Sequence, residues 1–407
     1  MTETTDTATR SMTTPAEGSR DRLPAGVYLL GFSLFAMGSA EFLLAGVLPE
    51  VAGDLSVPLS SAGLLITAFA LGVVLGGPPL AVLSLRWPRR TSLIGTQAVF
   101  AASVAAGILG GYEVLLVSRV VSGVAYAGFF AVAAVTAVAM VPPERTARAS
   151  AVVVSGLSIA MVAGGPAGTL LSHYTGWRGG FWGVVVLTVV GIGGCVLGIA
   201  TPAAGSAPTK RPDVRRELRA LRSPALWGIF AITILSTAAY MITFNYLAAM
   251  LAELTAVPSV WIPAILALFG VGAFAGLTLG GRIADRRPHL AMAAGTIAIA
   301  VLSLTLAVAM RSAAAVVVVP AVFLLGVAAF VLNPALYGRV FALAGDAPTL
   351  AGATTVSAFQ LGISATPLLA ALTLTCGAAL TSVCVVGAVL AAAALPLIRA
   401  DRIGHRR

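Results

Sequence analysis

Long apolar runs separated by short polar interruptions make up most of the chain. Each run is close to the ~20 residues that an α-helix needs to cross a bilayer. The pattern predicts an all-α integral membrane protein with twelve spanning helices, because a β-barrel would alternate polar and apolar residues over ~10-residue segments. The runs lie at 24–49, 61–84, 91–110, 113–140, 149–172, 179–200, 225–251, 260–281, 290–310, 313–338, 349–373 and 376–398.

The composition agrees with this hydropathy pattern. The 407 residues are 58% hydrophobic and 10% charged, whereas soluble proteins carry roughly 25% charged residues. The three cysteines lie inside apolar runs, at spacings that suit neither a disulfide framework nor a metal site. We therefore interpret Cys195, Cys376 and Cys384 as small packing residues.

Two polar stretches divide the chain into units. Residues 1–23 carry both signs of charge without the basic-then-apolar layout of a signal peptide, which predicts a disordered cytoplasmic tail. Residues 201–224 are Pro-rich and basic, which is typical of a cytoplasmic linker, and we expect a short amphipathic helix near 214–221. The remaining predicted units are a six-helix bundle at 24–200, a second at 225–398, and a C-terminal cytoplasmic tail at 399–407.

The basic residues are distributed unevenly between the two sides of the predicted membrane segment. With the N-terminus inside, 22 of the 25 Lys and Arg residues fall on the cytoplasmic side, and only Arg178 and Arg311 fall outside. This asymmetry predicts that both termini are cytoplasmic. The net charge of +10 is then an orientation signal, with anionic lipid rather than nucleic acid as its expected contact.

The two halves resemble each other at an offset near 200 residues. The matching pairs are Arg86 and Arg286, Val57-Pro58 and Val257-Pro258, Pro166 and Pro367, and Glu50 and Glu253. Many secondary transporters consist of such repeats, with the substrate site between the halves near the membrane midplane. A channel is the less favoured interpretation, because no re-entrant selectivity filter is visible.

Two ionisable residues of opposite charge lie inside the first-half spans. Glu41 lies in the run "FAMGSAEFLLAGVLP", and Arg119 is six residues into the fourth span, so helical rise places both at similar depth. A charge near the bilayer centre costs at least ~2.5–3.5 kcal/mol, so such residues usually face a cavity and a partner. Burial disfavours a charged carboxyl group and a nearby cation favours it. Glu41 is therefore a candidate proton carrier and Arg119 the residue that biases it, although either side chain could instead reach the outer interface.

A glycine-rich stretch and two basic loops are candidates for moving parts. Gly164, Gly165, Pro166 and Gly168 occupy about one and a half turns of the fifth span, where proline should kink the helix and glycine should allow close packing. Arginines follow helix C-termini in two loops, where the helix dipole favours cations. These loop residues are Arg86, Arg89 and Arg90, and then Arg286 and Arg287 beside Asp285, which we expect to latch one conformation.

The second-half spans carry neutral polar and aromatic groups but no internal carboxylate or Lys. Such a cavity suits a neutral or weakly polar molecule, although each residue alone is more often interhelical packing. The candidate cavity residues are Tyr126, Tyr240, Phe244, Asn245, Asn333 and Gln360.

No enzyme constellation is visible in the sequence. His173, His289 and His405 are interpreted as loop or tail residues, and none accompanies a Ser, Cys or metal cluster. No P-loop is present, so ATP should not drive transport directly. We expect no cofactor and no metal, with a proton gradient as the energy source.

Several motifs resemble those of the major facilitator superfamily, in its twelve-span drug:proton antiporter group. They are "SAEFLLAGVLPEVAGDL" in span 1, "LLVSRVVSGVAYAGFFAV" with Arg119 and Gly123 in span 4, "AGGPAG" in span 5, "GWRGGFW" before span 6, and "GGRIADRRP" in the 8–9 loop. The resemblance implies drug export against inward proton flow, with Glu41 and Arg119 at the coupling site. Leu85 stands where the superfamily's 2–3 loop has Asp, which weakens the expected latch of the first half.

Within this group the chain is most similar to chloramphenicol-resistance exporters. The similar runs are the span 1 motif, "SLRWPRR" and "AMVPPERTARAS". The predicted function is thus proton-coupled efflux of chloramphenicol or related amphiphilic drugs by a monomer in the cell membrane. The alternatives are an exporter of a sugar or nucleoside, a non-transporting receptor, and a channel; an enzyme is disfavoured by the missing catalytic groups.

Overall fold

The computed structural model describes residues 23–84, 87–142, 145–199, 223–255, 257–284, 286–312, 315–344 and 348–404. Three predicted features lie outside the described residues. They are the N-terminal tail up to residue 22, the linker up to residue 222 with its expected helix near 214–221, and the loop residues Leu85, Arg86 and Asp285. The statements below concern the described residues.

The described chain is helical almost throughout, because in lipid an apolar segment must satisfy its backbone hydrogen bonds internally. Besides α-helices, the described residues contain a π-helical turn, Ala160–Gly164, and a 3₁₀ turn, Ser259–Trp261. The helices are α1 (Ala25–Asp54), α2 (Leu59–Ser84), α3 (Arg89–Leu109), α4 (Tyr112–Ala139), α5 (Thr146–Ile159), α6 (Gly165–Gly198), α7 (Pro224–Asn245), α8 (Leu247–Leu254), α9 (Ile262–Ala284), α10 (Pro288–Arg311), α11 (Ala315–Val331), α12 (Asn333–Ala344), α13 (Pro348–Thr375) and α14 (Ser382–Gly404).

Eleven helical segments in the described residues are long and apolar enough to cross a membrane. One of them, Arg148–Gly198, has 51 residues, which at 1.5 Å per residue is more than twice the ~30 Å hydrocarbon thickness. Gly176 interrupts it with φ 75° and ψ 163°, a backbone conformation that residues with a Cβ rarely adopt. Because the chain reverses at this glycine, the segment makes two crossings, and the predicted twelve-span fold is confirmed.

Three predicted spans are interrupted within their length. The seventh is divided at Tyr246 and the tenth at Leu332, and the fifth contains the π-helical turn just before Pro166. The predicted proline kink therefore lies beside a wide turn, which is a common form of helix irregularity at functional sites. The first span also continues through Pro49 to Asp54, five residues beyond the predicted end.

Close helix pairs recur at equivalent positions of the two halves. A Cβ on Gly72 would overlap the Val120 carbonyl oxygen, and a Cβ on Gly123 would overlap that of Phe69, so α2 and α4 touch through their backbones. In the second half, Gly272 and Gly326 meet the carbonyl oxygens of Phe323 and Phe269 in the same way between α9 and α11. The internal repeat predicted from sequence thus extends to helix packing.

The most extensive contacts between the halves are those of α2 with α13, of α1 with α8, and of α9 with both α6 and the π-helical turn. The Thr67 hydroxyl donates to the Ser364 carbonyl oxygen at 2.9 Å. A Cβ on Gly270 of α9 would lie 2.6 Å from Val162 Cα in the π-helical turn. α1 and α13 therefore both take part in the contact between the halves.

The helix ends on the side of the α1–α2 connection are held by a polar cluster. Asp54 at the end of α1 accepts hydrogen bonds from the Arg178 guanidinium and from Trp177 Nε1, the latter at 3.1 Å. Arg178 Nε also donates to the Ile108 carbonyl oxygen at 3.1 Å, and its guanidinium lies over the Trp177 ring. The cluster ties α1, α3 and α6 together.

Candidate functional site

Glu41 lies near the middle of α1 with its side chain turned into the protein. Only 8% of the residue is exposed, and its Oε1 has no hydrogen-bond partner among the described residues. Gln360, on α13 of the other half, is also buried, and its Oε1 likewise has no hydrogen-bond partner among the described residues. The ionisable group that the sequence singled out is therefore buried at the meeting of the two halves, where a change of its charge acts on both.

Arg119 of α4 approaches Glu41 through the backbone of α1. Its Nη1 donates to the carbonyl oxygen of Ala40 at 3.4 Å, and its Nε donates to that of Leu65 at 3.3 Å. The guanidinium also lies 4.4 Å from the centre of the Phe69 ring, a favourable position for a cation. Three neighbours of the first half therefore fix the place of this charge.

Among the described side chains, Glu41 and Arg119 form no ion pair within 4.0 Å. Arg119 Nη2 is buried without a hydrogen-bond partner among the described residues. One donor of Arg119 and one acceptor of Glu41 are thus buried without a partner among the described residues.

The glycine-rich stretch packs against the segment of α1 that carries Glu41. A Cβ on Gly164 would overlap Ser39, one on Gly165 would lie 2.7 Å from Phe42 Cβ, and one on Gly168 would lie 2.9 Å from a Leu43 methyl group. Pro166 is in the first turn of α6. The residues of the predicted antiporter motif thus pack directly against α1 on either side of Glu41.

Aromatic rings from both halves form a wall beside this site. Phe42 of α1 and Phe244 of α7 meet edge to face with ring centroids 6.5 Å apart, and Phe244 lies 4.4 Å from Phe269. Tyr240 lies 6.4 Å from Phe269 and 5.8 Å from Phe330. The wall is apolar with a few hydroxyl groups, which is typical of pockets for small uncharged molecules.

Two further tyrosines, Tyr126 and Tyr337, belong to other aromatic pairs. Tyr126 packs against Phe69 at 5.6 Å, on the ring that also carries the Arg119 guanidinium. Tyr337 stacks on Phe359 at 5.6 Å. The structure therefore places one cavity candidate, Tyr126, on the same ring as the buried Arg119 guanidinium.

The two asparagines are placed differently. The Asn245 amide donates to Thr366 Oγ1 at 2.9 Å, a bond that joins α7 to α13 within the second half. Asn333 begins α12, and its Oδ1 is buried without a partner among the described residues. Asn333 therefore offers a free acceptor, whereas Asn245 serves helix packing in this conformation.

The basic loop residues lie at the ends of the helices. Arg90, at the start of α3, donates to the Val196 carbonyl oxygen of α6. Arg89 is partly exposed, and Arg286 and Arg287 are exposed just before α10. Their role as conformational latches remains a prediction, since Arg86 and Asp285 lie outside the described residues.

A buried charge cluster in the second half was not predicted. Arg339 holds Asp401 through two bonds, Nε to Oδ2 at 3.1 Å and Nη2 to Oδ1 at 2.7 Å, and His289 Nε2 lies 2.8 Å from Asp401 Oδ2. The interpretation of His173 and His289 as loop residues was wrong, because they lie within α6 and α10. Arg339, Asp401 and His289 lie far apart in the sequence, so no motif or spacing indicates that they form a cluster.

Comparisons with known proteins agree with this architecture. A family model described as Major Facilitator Superfamily matches residues 30–367. The chain is 41% identical to a "Chloramphenicol resistance protein" of Streptomyces lividans, over 86% of this chain and 90% of that protein. It is 31% identical to "Inner membrane transport protein YdhP" of Escherichia coli O157:H7, over 91% and 94%.

A further relative and a solved structure are also similar to this chain. "Chloramphenicol efflux pump Rv0191" of Mycobacterium tuberculosis is 28% identical, over 86% of each chain. The crystal structure of the nucleoside transporter NupG superposes with a TM-score of 0.74 at 13% identity, over 93% of this chain and 99% of that one. At this identity the structural likeness shows the fold alone.

Proposed function

Because the chain belongs to the Major Facilitator Superfamily and is a multi-span membrane transporter rather than an enzyme, we propose that it exports chloramphenicol or related amphiphilic drugs in exchange for protons. The observation that carries the proposal is the buried Glu41 carboxyl group. It lies between the halves, beside a cation that leaves it unpaired and next to an aromatic wall. Protons and drug would compete for the same small space.

The lining of the space supports an uncharged aromatic substrate. Phe42, Phe244 and Phe269 provide apolar surface from both halves, and Gln360 and Asn333 carry buried oxygens that are free to accept hydrogen bonds. Arg119 offsets the negative charge of Glu41, so the site has no net attraction for a cation. Two of the relatives are a chloramphenicol resistance protein and a chloramphenicol efflux pump, and such a drug fits this lining.

The proposed cycle follows from competition at Glu41. A proton arriving from the outside neutralises the carboxyl group in one state, and drug binding from the cytoplasmic side favours release of the proton in the other. Exchange requires that the two ligands have different affinities for the two states, and rocking of the two halves would alternate access to the site. In this proposal the protein lies in the cell membrane with both termini cytoplasmic, in accord with the charge asymmetry, and needs no cofactor.

Transport in liposomes with an imposed pH gradient tests the proposal. Purified wild-type protein is expected to move radiolabelled chloramphenicol uphill, and a protonophore should abolish the movement. Glu41→Gln keeps the shape of the side chain but cannot release a proton, so uphill movement should fall at least a hundredfold. Glu50→Gln is the matched control, because Glu50 is an exposed carboxylate on the same helix.

Each result has a defined meaning. If wild-type protein moves no chloramphenicol, the drug assignment is wrong, and sugars and nucleosides are tested next in the same assay. If Glu41→Gln pumps as well as wild type, Glu41 is structural and the proposed coupling site is wrong. If Glu50→Gln fails equally, the loss reflects the general effect of removing a carboxylate from α1.

A further inference from the structure

A groove of about 350 Å³ runs between α6 of the first half and α9 of the second. Pro166, Ala167 and Leu170 form its wall on α6, and Pro263, Ala264 and Ala267 form its wall on α9. Residues spaced by three and four share one face of a helix, so each wall is one face of its helix. The two walls belong to different halves of the protein, and the shape of the groove therefore depends on how the halves are arranged.

The groove opens away from the interior of the helix bundle. On the other side of α6 and α9, a Cβ on Gly46 of α1 would overlap Thr169 Oγ1 and would lie 3.1 Å from a methyl group of Leu266. α1 therefore closes the gap between α6 and α9 from within. Ala167 and Ala264, one from each wall, are exposed, so the groove is accessible from the outer surface of the bundle.

The groove lies in the membrane-spanning part of both helices. Its walls belong to the spanning segments Arg148–Gly198 and Ser259–Ala284. Trp261, which is 61% exposed, lines the groove just before α9 begins, and tryptophan is enriched at membrane–water interfaces. From the start of α9 the wall continues to Ala267, which at 1.5 Å per residue is about 8 Å along the helix. The groove thus extends from the interface into the hydrocarbon region.

A direct backbone contact closes the deep end of the groove. A Cβ on Gly270, one turn beyond Ala267, would lie 2.6 Å from Val162 Cα and 3.1 Å from the Met161 carbonyl oxygen. No chain of atoms passes between the two helices at this point. The groove is therefore a notch with an open end at Trp261 and a closed end at Gly270.

We propose that one acyl chain of a membrane lipid binds in this groove, with its ester end at Trp261 and its tail toward Gly270. The indole N–H of Trp261 is the one hydrogen-bonding group among the lining side chains, and it lies at the end where the ester groups of a lipid are found. The remaining lining side chains are purely apolar. Drug pockets, in contrast, place several polar groups around their ligand, so the groove fits an acyl ester better than a drug.

Packing rather than the hydrophobic effect holds the acyl chain, because lipid tails are as apolar as the side chains that line the groove. Atoms beside an unfilled gap lose their dispersion contacts on that side. An unbranched, flexible chain follows a narrow notch between two helices and restores these contacts. A bulky or polar molecule does not fill the same shape.

The bound acyl chain stabilises the present contact between α6 and α9. A ligand that binds one arrangement of a protein better than another shifts the equilibrium toward that arrangement. Since the walls of the groove lie on different halves, a movement of the halves changes the site, and the bilayer lipid acts as a ligand of the conformational equilibrium. This step rests on the proposed alternation between two states, whereas the binding of the chain does not.

Photocrosslinking in liposomes tests the site without drug. The purified protein is reconstituted in phosphatidylethanolamine and phosphatidylglycerol that include a phospholipid with a diazirine on its acyl chain, and crosslinked peptides are identified by mass spectrometry after irradiation. Crosslinks to residues 166–170 and 260–267 should be at least fivefold more frequent than crosslinks to the exposed surface of α3. Ala264→Trp fills the groove and should lower this labelling at least fivefold.

Ala102→Trp is the matched control, because Ala102 is an exposed alanine of α3 away from the groove. It should leave the labelling of the groove unchanged. Ala167→Leu fills the groove from the other wall by a smaller change and decides the question if Ala264→Trp does not fold. Even labelling of all exposed spans, or undiminished labelling in both filling variants, would overturn the proposal. Displacement of the crosslink by excess chloramphenicol would also overturn it, since the groove would then be a drug site.

The same measurement tests the stabilising role. Linkage is reciprocal, so a variant that weakens the contact between the halves must also weaken binding of the acyl chain. Thr67→Val removes the hydrogen bond to Ser364 of the other half and should lower the labelling of the groove at least twofold, whereas Thr136→Val, which alters a bond within α4, should not. Unchanged labelling in Thr67→Val would show that the chain binds both arrangements equally. Neither measurement depends on drug export, so a failure of the proposed function leaves both results interpretable.

Discussion

Arg119 donates its Nε–H to the backbone carbonyl oxygen of Leu65 at 3.3 Å, so a helix backbone rather than a carboxylate holds this buried cation. A second carbonyl oxygen, of Ala40, and the face of Phe69 complete its surroundings. The guanidinium is thereby fixed independently of the charge on Glu41. It supplies a constant field at the acid instead of following its protonation.

Arg119→Lys is expected to impair both folding and transport. A lysine carries one ammonium group and cannot reach two carbonyl oxygens and a ring face at once. Loss of a hydrogen bond to a charged group costs about 1.5–3 kcal/mol, so the unfolding temperature in detergent should fall and uphill export should drop at least tenfold. Arg402→Lys, at an exposed arginine of α14, should change neither value. A fully active Arg119→Lys would show that the fork geometry is dispensable.

Gly123→Ala should destabilise the first half. The added methyl group would overlap the Phe69 carbonyl oxygen, and overpacking of this kind costs about 1–3 kcal/mol. Gly77→Ala in the partner helix α2 is the matched control, because nothing lies within 4 Å of its added Cβ. Thermal unfolding in detergent should show a drop for the first variant and no drop for the second. Equal unfolding temperatures would contradict the close approach of α2 and α4.

The two clusters of charged residues predict opposite outcomes on mutation. Asp401→Ala removes both bonds to the buried Arg339 and the contact with His289, and breaking a buried ion pair costs about 3–5 kcal/mol. Asp54→Ala removes a pair whose side chains are 44% and 42% exposed, and such pairs contribute little. Chemical unfolding of the purified variants should show a large loss of stability only for Asp401→Ala. A comparable loss for Asp54→Ala would show that the Asp54 cluster is a main support of the fold.

Thr67→Val should shift the balance between conformations rather than the stability of each half. The Thr67 hydroxyl bonds Ser364 across the halves, and a hydrogen bond contributes about 1 kcal/mol, or about a fivefold change in an equilibrium constant. Spin labels at Gly53→Cys and Ser259→Cys, exposed positions of opposite halves, report the distance between the halves by pulsed EPR; the population of the short distance should fall by that factor, with an unchanged unfolding temperature. Thr136→Val is the control, since Thr136 bonds only its own helix, at Val132. A short-distance population like that of the wild type would mean that this hydrogen bond does not stabilise the contact between the halves.

The sequence predicted the spans well because twenty apolar residues leave a chain few choices in lipid. It also singled out Glu41 and Arg119, since charges in such spans are rare. The breaks at Tyr246 and Leu332 were missed, because a short interruption does not lower the hydropathy of a span. Only Asn333-Pro334 could have indicated the second break.

Contacts between residues that are distant in the sequence could not be predicted either. Periodicity cannot show that Gln360 is buried, or that Arg339 is buried rather than in a loop, because each depends on how the helices pack. The sequence places Glu41 and Arg119 at similar depth, and in the structure both are buried without an ion pair between them. The sequence could not indicate, however, that the Arg119 guanidinium would donate hydrogen bonds to the carbonyl oxygens of Ala40 and Leu65.

The matching glycine contacts, Gly72 and Gly123 in one half and Gly272 and Gly326 in the other, carry a historical consequence. An ancestral gene that encoded six helices, already closed on itself through two glycines, accounts for both copies after duplication and fusion. Since neither contact has room for a Cβ, each descendant half kept its internal geometry while its lining diverged, and Glu41 belongs to one copy alone.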